Sequence, residues 1–235
     1  MNETLVIIPT YNEAKNIIKL INELTKINVD ILIVDDNSPD NTSNLVKQNK
    51  SFGISIFVID RLEKLGLGSA YREGFSWAIE KEYKYIAQMD ADFSHRTIDL
   101  LNLFKYKEKY GLVLGSRYVE GGKTDGWNKK RKTLSKYANK ISTYLISSPV
   151  KDMTSGFRVY TNKALKKIDF MTTKTDGYSF QIEMLVKALD KGVDIKELPI
   201  IFEDREDGNS KFNSTIVFEA VFTLLRLSFR KFKRN

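Results

Sequence analysis

Five short apolar runs, at residues 4–9, 30–35, 54–59, 85–89 and 112–115, alternate with longer segments of helical period through the first half of the chain. No other feature limits the fold so tightly. Apolar runs of this length, without polar alternation, suit strands buried on both faces, and the segments between them suit the crossover helices of parallel βαβ units. Ile17, Leu20, Ile21 and Leu24 fall at i, i+3, i+4 and i+7, which lays one apolar stripe of a helix against a sheet. Further helices are expected at residues 69–81 and 97–110. The expected class is α/β, with a twisted, mostly parallel central sheet flanked by helices.

Beyond Tyr118 the pattern changes. Residues 120–126 are polar and glycine-rich, and Lys129-Lys130-Arg131-Lys132 is a basic cluster, so this stretch reads as a lid or binding loop. A helix is expected at 134–146, a strand at 156–160, a helix at 180–189 and strand character at 194–202. A charged segment at 204–211 leads to an apolar and basic helix at 213–232. The expected organisation is a catalytic domain over residues 1–211 and an amphipathic, basic helix within 212–235. That helix either packs on the core or touches anionic lipid.

Composition removes several chemistries. The chain has no cysteine, so it has no disulfide, thiolate metal site or cysteine nucleophile. Its single histidine, His95, excludes a multi-histidine metal site, so any metal is held mainly by oxygen. The first residues lack the basic start and long apolar core of a signal peptide, and no run approaches the roughly 20 apolar residues of a membrane span. A cytoplasmic location is expected. The net charge of +8 favours an anionic partner: nucleic acid, anionic lipid or a phosphorylated substrate. No nucleic-acid-binding motif accompanies the charge, so nucleic acid is not an expected partner.

In open α/β sheets ligands sit beyond the carboxyl ends of the strands. Three strand ends are rich in polar groups: Pro9-Thr10-Tyr11-Asn12-Glu13, Asp35-Asp36-Asn37-Ser38-Pro39-Asp40 and Asp90-Ala91-Asp92. Taken singly, Asn12, Ser38 and Asp40 are equally suited to capping helices. Asp90 and Asp92, at i and i+2 on an extended segment, point to one side and can share a hard divalent cation, Mg²⁺ or Mn²⁺. The glycine fingerprint of a dinucleotide fold is missing after the first strand, which disfavours hydride transfer. Arg117 closes a strand beside the crevice, where a buried cation requires a carboxylate or phosphate partner. His95 suits a structural role.

Together these residues resemble the family-2 inverting glycosyltransferases of the GT-A fold, and within them the dolichol (polyprenyl) phosphate mannose synthases. The resemblance runs from Val6 to about Leu227. It also includes Gly66-Leu67-Gly68-Ser69-Ala70, Gly115-Ser116-Arg117-Tyr118, residues 131–135, Thr154-Ser155-Gly156-Phe157-Arg158 and residues 205–211. The resemblance implies transfer of mannose from GDP-mannose to a polyprenyl phosphate with inversion. UDP-glucose or another sugar nucleotide, or a glycan hydroxyl acceptor, are the alternatives. For a hydroxyl acceptor a base would be needed, and Asp152, Asp176 and Glu183 are the candidates. By the resemblance, Pro9, Tyr11, Glu13, Val34 and Asp36 hold the nucleoside, and Asp90, the Ala91 backbone and Asp92 meet the metal and diphosphate. Arg205 and Lys211 close over the donor, and Arg117, Arg131 and Ser135 hold the acceptor phosphate; Arg117 also borders the donor. Asp92 and Arg117 are the expected catalytic residues. Ser94 stands where some relatives place a third metal ligand. A lipid acceptor implies a peripheral enzyme at the cytoplasmic face of a membrane, with a separate membrane-anchoring subunit as a further expected partner.

Overall fold

The computed structural model describes residues 2–177 and 179–204, together with Thr223, and it realises the alternation as a seven-stranded sheet. Strand β1 (Thr4–Thr10) leads through helix α1 (Ile17–Leu24) to β2 (Asp30–Asp35), and α2 (Thr42–Lys47) leads to β3 (Ile56–Asp60). Helix α3 (Leu67–Glu80) precedes β4 (Tyr85–Gln88), and α4 (Thr97–Phe104) precedes β5 (Leu112–Ser116). Then come β6 (Lys123–Thr124), α5 (Lys129–Ile146), β7 (Arg158–Thr161), α6 (Asn162–Ile168), α7 (Ser179–Asp190), β8 (Ile195–Pro199) and β9 (Ile201–Phe202). The strand order is β3-β2-β1-β4-β7-β5-β8, parallel except for β7, which runs antiparallel between β4 and β5. Strands β6 and β9 pair separately.

Successive side chains of a strand face opposite sides of the sheet, so β1 feeds two cores. Leu5 and Ile7 join Leu32, Val34, Tyr71, Phe75, Phe180 and Leu185 beneath α3 and α7. Val6 and Ile8 join Ile31 and Ile33 beneath α1 and α4. The four apolar residues of the α1 stripe are fully buried, each contributing about 1.5–3 kcal/mol relative to exposure. This is the GT-A architecture the sequence implies.

Several local expectations are corrected. Helix α4 ends at Phe104 rather than near residue 110, and the chain continues in turns that keep Tyr106 and Tyr110 packed against the core beneath it. Helix α5 begins at Lys129 rather than 134: the Asn128 side chain accepts from the Arg131 amide at 2.9 Å and caps it. The basic cluster is therefore the first turn of a helix, and Lys123–Thr124 is a strand, where a loop was expected throughout. Short helices α2 and α6 went unforeseen, since six or seven residues are too few to display a period. Arg205, Lys211 and the helix expected at 213–232 lie outside the described residues, apart from Thr223, which is helical and buried.

Candidate active site at the carboxyl edge of the sheet

The loops after β1 and β2 are stitched to each other by side chains rather than by helix caps. Asp35 accepts from Thr10 Oγ1 at 2.6 Å and from the Ser38 amide at 2.8 Å. Ser38 Oγ accepts from the Asn12 amide at 3.0 Å, and Asp40 from the Ala14 amide at 2.9 Å. Asn12, Asn37 and Asn41 hold positive φ angles of 62°, 57° and 70°, conformations that asparagine tolerates better than most residues. Asn12 and Ser38 cap no helix; Asp40 accepts also from the Thr42 amide at the start of α2.

Asp36 is buried and engaged on both oxygens. Arg61 Nη1 donates to Oδ1, and the Gly66 amide donates to Oδ2 at 2.9 Å. The turn opening α3 is thus tied to the end of β2, and the Gly68 amide extends the tie to the Asp176 carbonyl at 2.9 Å. Tyr11 is half-buried, with Lys64 Nζ 3.6 Å from its ring centroid. Glu13 accepts from Asn16 Nδ2 at 3.1 Å. Pro9 lies opposite Val34 in the register of β1 and β2, and the Val34 side chain is fully buried in the core.

Asp90 and Asp92 follow β4 at the middle of this edge. The Asp92 side chain is nearly buried, its Oδ1 accepting from both the Ser94 amide and Ser94 Oγ. Ser94 therefore orients Asp92. Asp90 keeps 32% of its side chain exposed, while its amide donates to His95 Nδ1 at 3.1 Å. His95 is stacked on Phe157 with centroids 4.5 Å apart and planes at 5°. Burial depresses its pKa, so it stays neutral and braces the turn between the two aspartates. Phe93, directly after Asp92, holds φ at 61°, a strained value for a bulky residue.

Arg117 meets a carboxylate, the first of its two anticipated partners. Asp152, fully buried, takes Arg117 Nε at 2.8 Å, Nη2 at 2.7 Å and the Arg117 amide at 3.0 Å. Burial opposes ionisation of both groups, but their mutual attraction outweighs it: the Asp152 pKa is lowered and that of Arg117 raised. Thr154 Oγ1 accepts from Nη2 at 2.7 Å. Arg117 also lines a pocket of about 340 Å³ with Tyr118, Lys123, Lys132 and Lys136. Arg131 and Ser135 have partners within the chain. Arg131 lies over the Trp127 ring at 4.0 Å and pairs with Asp204 at 2.9 Å, and Ser135 Oγ is 2.7 Å from Tyr118 Oη. Lys132, one helical position on from Arg131, belongs to the basic cluster already read as a binding loop; Lys136 is a lining residue that sequence reading missed, and the signal available was its i, i+4 spacing from Lys132.

Residues 5–169 match the Glycosyl transferase family 2 profile. The chain belongs to this family. Over 97% of its length it is 38% identical to the polyprenol monophosphomannose synthase of Mycolicibacterium smegmatis, covering 87% of that protein. It is also 37% identical over 94% of its length to the undecaprenyl-phosphate mannosyltransferase of Micrococcus luteus, covering 92% of it. Among solved structures, glucosyl-3-phosphoglycerate synthase of Mycobacterium tuberculosis, in complex with Mn²⁺, UDP and glucosyl-3-phosphoglycerate, shares the fold. Its TM-score is 0.70 at 17% identity, with 96% of this chain and 79% of that one covered. No helix among the described residues of this family-2 chain is long and apolar enough to cross a membrane.

Proposed function

We propose that the chain transfers mannose from GDP-mannose to a polyprenyl phosphate, inverting the anomeric carbon. The observation that carries this reading is the pocket lined by Arg117, Lys123, Lys132 and Lys136, with no carboxylate among the described residues of its wall. Lys132 sits in the positive end of α5, where a cation is unfavourable for the helix itself, and such a local misfit marks function. A phosphate acceptor has a second pKa of about 6, so it arrives ionised and needs cations rather than a base. The three carboxylates considered as bases are otherwise engaged. Asp152 grips Arg117, Asp176 pairs with Arg72, and Glu183 accepts from the Lys174 amide and Thr175 Oγ1. These engagements favour a phosphate acceptor over a hydroxyl acceptor.

Asp90 and Asp92 would hold Mg²⁺ or Mn²⁺. Among the described residues no cluster of three or more histidines and carboxylates exists, and two carboxylates with substrate phosphates and water completing the shell is the usual Mg²⁺ arrangement. Once bound, the ion offsets the charge that builds on the departing diphosphate. Ser94 and His95 hold the two aspartates in place, and Asp36 fixes the turn opening α3 beside the nucleoside.

A lipid acceptor requires a membrane surface, and α5 suits it. Leu134, Tyr137, Ile141 and Tyr144 line one stripe and are 50%, 61%, 56% and 83% exposed. The helix carries Lys129, Lys130, Arg131, Lys132, Lys136 and Lys140 and no acid. An apolar stripe among cations is the signature of a helix lying in an anionic interface, at the cytoplasmic face in this reading. It would bring the cationic pocket to the lipid headgroup.

The test is to incubate the protein with Mg²⁺ or Mn²⁺, short-chain polyprenyl phosphate, and GDP-mannose or UDP-glucose. Lipid-linked mannose from GDP-mannose is expected. Product from UDP-glucose alone would change the donor, and transfer only to a soluble hydroxyl would overturn the acceptor.

A further inference from the structure

Beneath Asp90 lies a group of buried polar side chains that the reaction described so far does not use. Gln88 ends β4 and is fully buried, and Gln181, in the first turn of α7, is 2% exposed. Neither the oxygen nor the nitrogen of either amide has a hydrogen-bond partner among the described residues, and the same holds for Tyr71 Oη and Ser179 Oγ. Leaving a buried polar group unpaired costs about 1–3 kcal/mol. Buried polar groups are paired as a rule, so each of these calls for a partner.

Their placement ties them to the crevice. Tyr71 stacks on Phe180, next to Gln181, with centroids 6.0 Å apart and planes at 7°. The Tyr71 hydroxyl lies within electrostatic reach of Asp90 and Asp92; burial first, then the Asp90 charge, keeps it protonated. Gln88 sits opposite Arg158 across β4 and β7, two residues before Asp90. Arg158 in turn braces the turn ahead of it, donating to the Ser155 carbonyl at 2.8 Å and to Tyr160 Oη at 3.2 Å. That turn contains Gly156, where a β-carbon would stand 3.3 Å from Gln181 Nε2. The Thr154-Ser155-Gly156-Phe157-Arg158 motif thus forms one wall and the start of α7 the other.

The chemistry of Gln181, Gln88 and Tyr71 selects the ligand. A phosphate would be met by cations, as in the pocket beside Arg117; a metal would be met by carboxylates. Two amides and the Tyr71 hydroxyl offer donors and acceptors without charge, which matches the hydroxyls of a neutral sugar ring; the neighbouring Arg158 guanidinium is already spent on the Ser155 and Met153 carbonyls and Tyr160 Oη. We propose that Gln181, backed by Gln88 and Tyr71, binds hydroxyls of the transferred hexose and sets which sugar is accepted. The inference rests on the sugar-nucleotide reading given above, but not on the identity of the acceptor.

The test uses Gln181→Met, which keeps the side-chain volume and removes both polar atoms, with Gln88→Met as a second variant. Calorimetry with Mn²⁺ compares GDP-mannose with GDP, and UDP-glucose with UDP. Gln181→Met should weaken the sugar nucleotide that the wild type prefers by at least about tenfold, with the matching diphosphate unchanged within about twofold. Discrimination in kcat/KM between GDP-mannose and its C2 epimer GDP-glucose should fall by a similar factor. Loss of sugar-dependent affinity in the variant, with no lipid-linked product even from the wild type, would keep this inference and overturn the acceptor reading. Unchanged affinity and discrimination in both variants, with a raised melting temperature, would overturn the inference: the amides would then serve only an internal water site.

Discussion

Asp152 holds Arg117 by three hydrogen bonds, two from the guanidinium and one from the arginine's own amide. The contact joins residues 35 positions apart and fixes the end of β5 to the turn before β7. Nη1 is the guanidinium nitrogen left without a hydrogen-bond partner among the described residues, on a side chain that lines the cationic pocket. Breaking a buried pair by removing one partner costs about 3–5 kcal/mol. Asp152→Asn should therefore destabilise the protein by about that amount at pH 7. The Asp152 pKa is lower in the folded chain than its ordinary 3.8, so its contribution is fully present above that value and is lost as pH falls through the folded pKa. Denaturant titrations of the two proteins should converge as pH drops below about 4.

Asp92→Asn should retain the fold and lose about 10²–10³-fold in transfer rate, the scale of removing one preorganised electrostatic group. Mn²⁺ binding followed by electron paramagnetic resonance should weaken in the same variant. Tight Mn²⁺ binding that survives the substitution would remove the metal assignment.

Lys132→Ala with Lys136→Ala should raise KM for polyprenyl phosphate by about tenfold or more, since hydrogen bonds to charged groups contribute about 1.5–3 kcal/mol each, and should leave donor affinity unaltered. Arg131→Ala should act more weakly, because its guanidinium is occupied by Asp204 and Trp127. A reversed order of effects would return the acceptor site to Arg131 and Ser135.

How much of this was legible in the sequence follows from what each signal reports. Strands β1, β2, β4 and β5 and the α1 stripe were readable because burial on fixed faces imposes a period. Strand β7 was expected, but its direction was not readable, since pairing against β4 and β5 leaves no local mark. The acidic strand ends announced the crevice by charge alone. Asp152 as the partner of Arg117 did not, because a contact across 35 residues has no spacing to recognise. Gln88 and Gln181 were silent for another reason: an uncharged amide looks like any surface residue until its burial is known. Asn128, the cap that moves the start of α5 forward, was overlooked because the lysines after it looked like a loop.

Gly68→Ala should lower the melting temperature by several degrees. An added β-carbon would stand 2.5 Å from the Thr175 carbonyl oxygen and 3.0 Å from Asp176 Cα, and overpacking of this kind costs about 1–3 kcal/mol. Sugar-nucleotide affinity should fall with it, as the same contact joins the opening of α3 to the segment before α7.

Leu134→Ser with Tyr137→Ser should reduce sedimentation with vesicles containing anionic lipid, leaving the melting temperature nearly unchanged, because both side chains are at least half exposed. Equal binding to neutral vesicles would separate the apolar contribution from that of the lysines.

Strand β7 starts where its neighbours finish: Arg158, its first residue, lies opposite both Gln88 and Leu114. The turn leading into it therefore reaches the ligand edge from the opposite direction and passes both candidate subsites in a few residues. Asp152 and Thr154 touch Arg117, and Gly156 abuts Gln181. So short a connection has little slack to absorb a displacement at either end. Acceptor on Arg117 and sugar on Gln181 should consequently bind as linked ligands, each altering the other's affinity by the same factor.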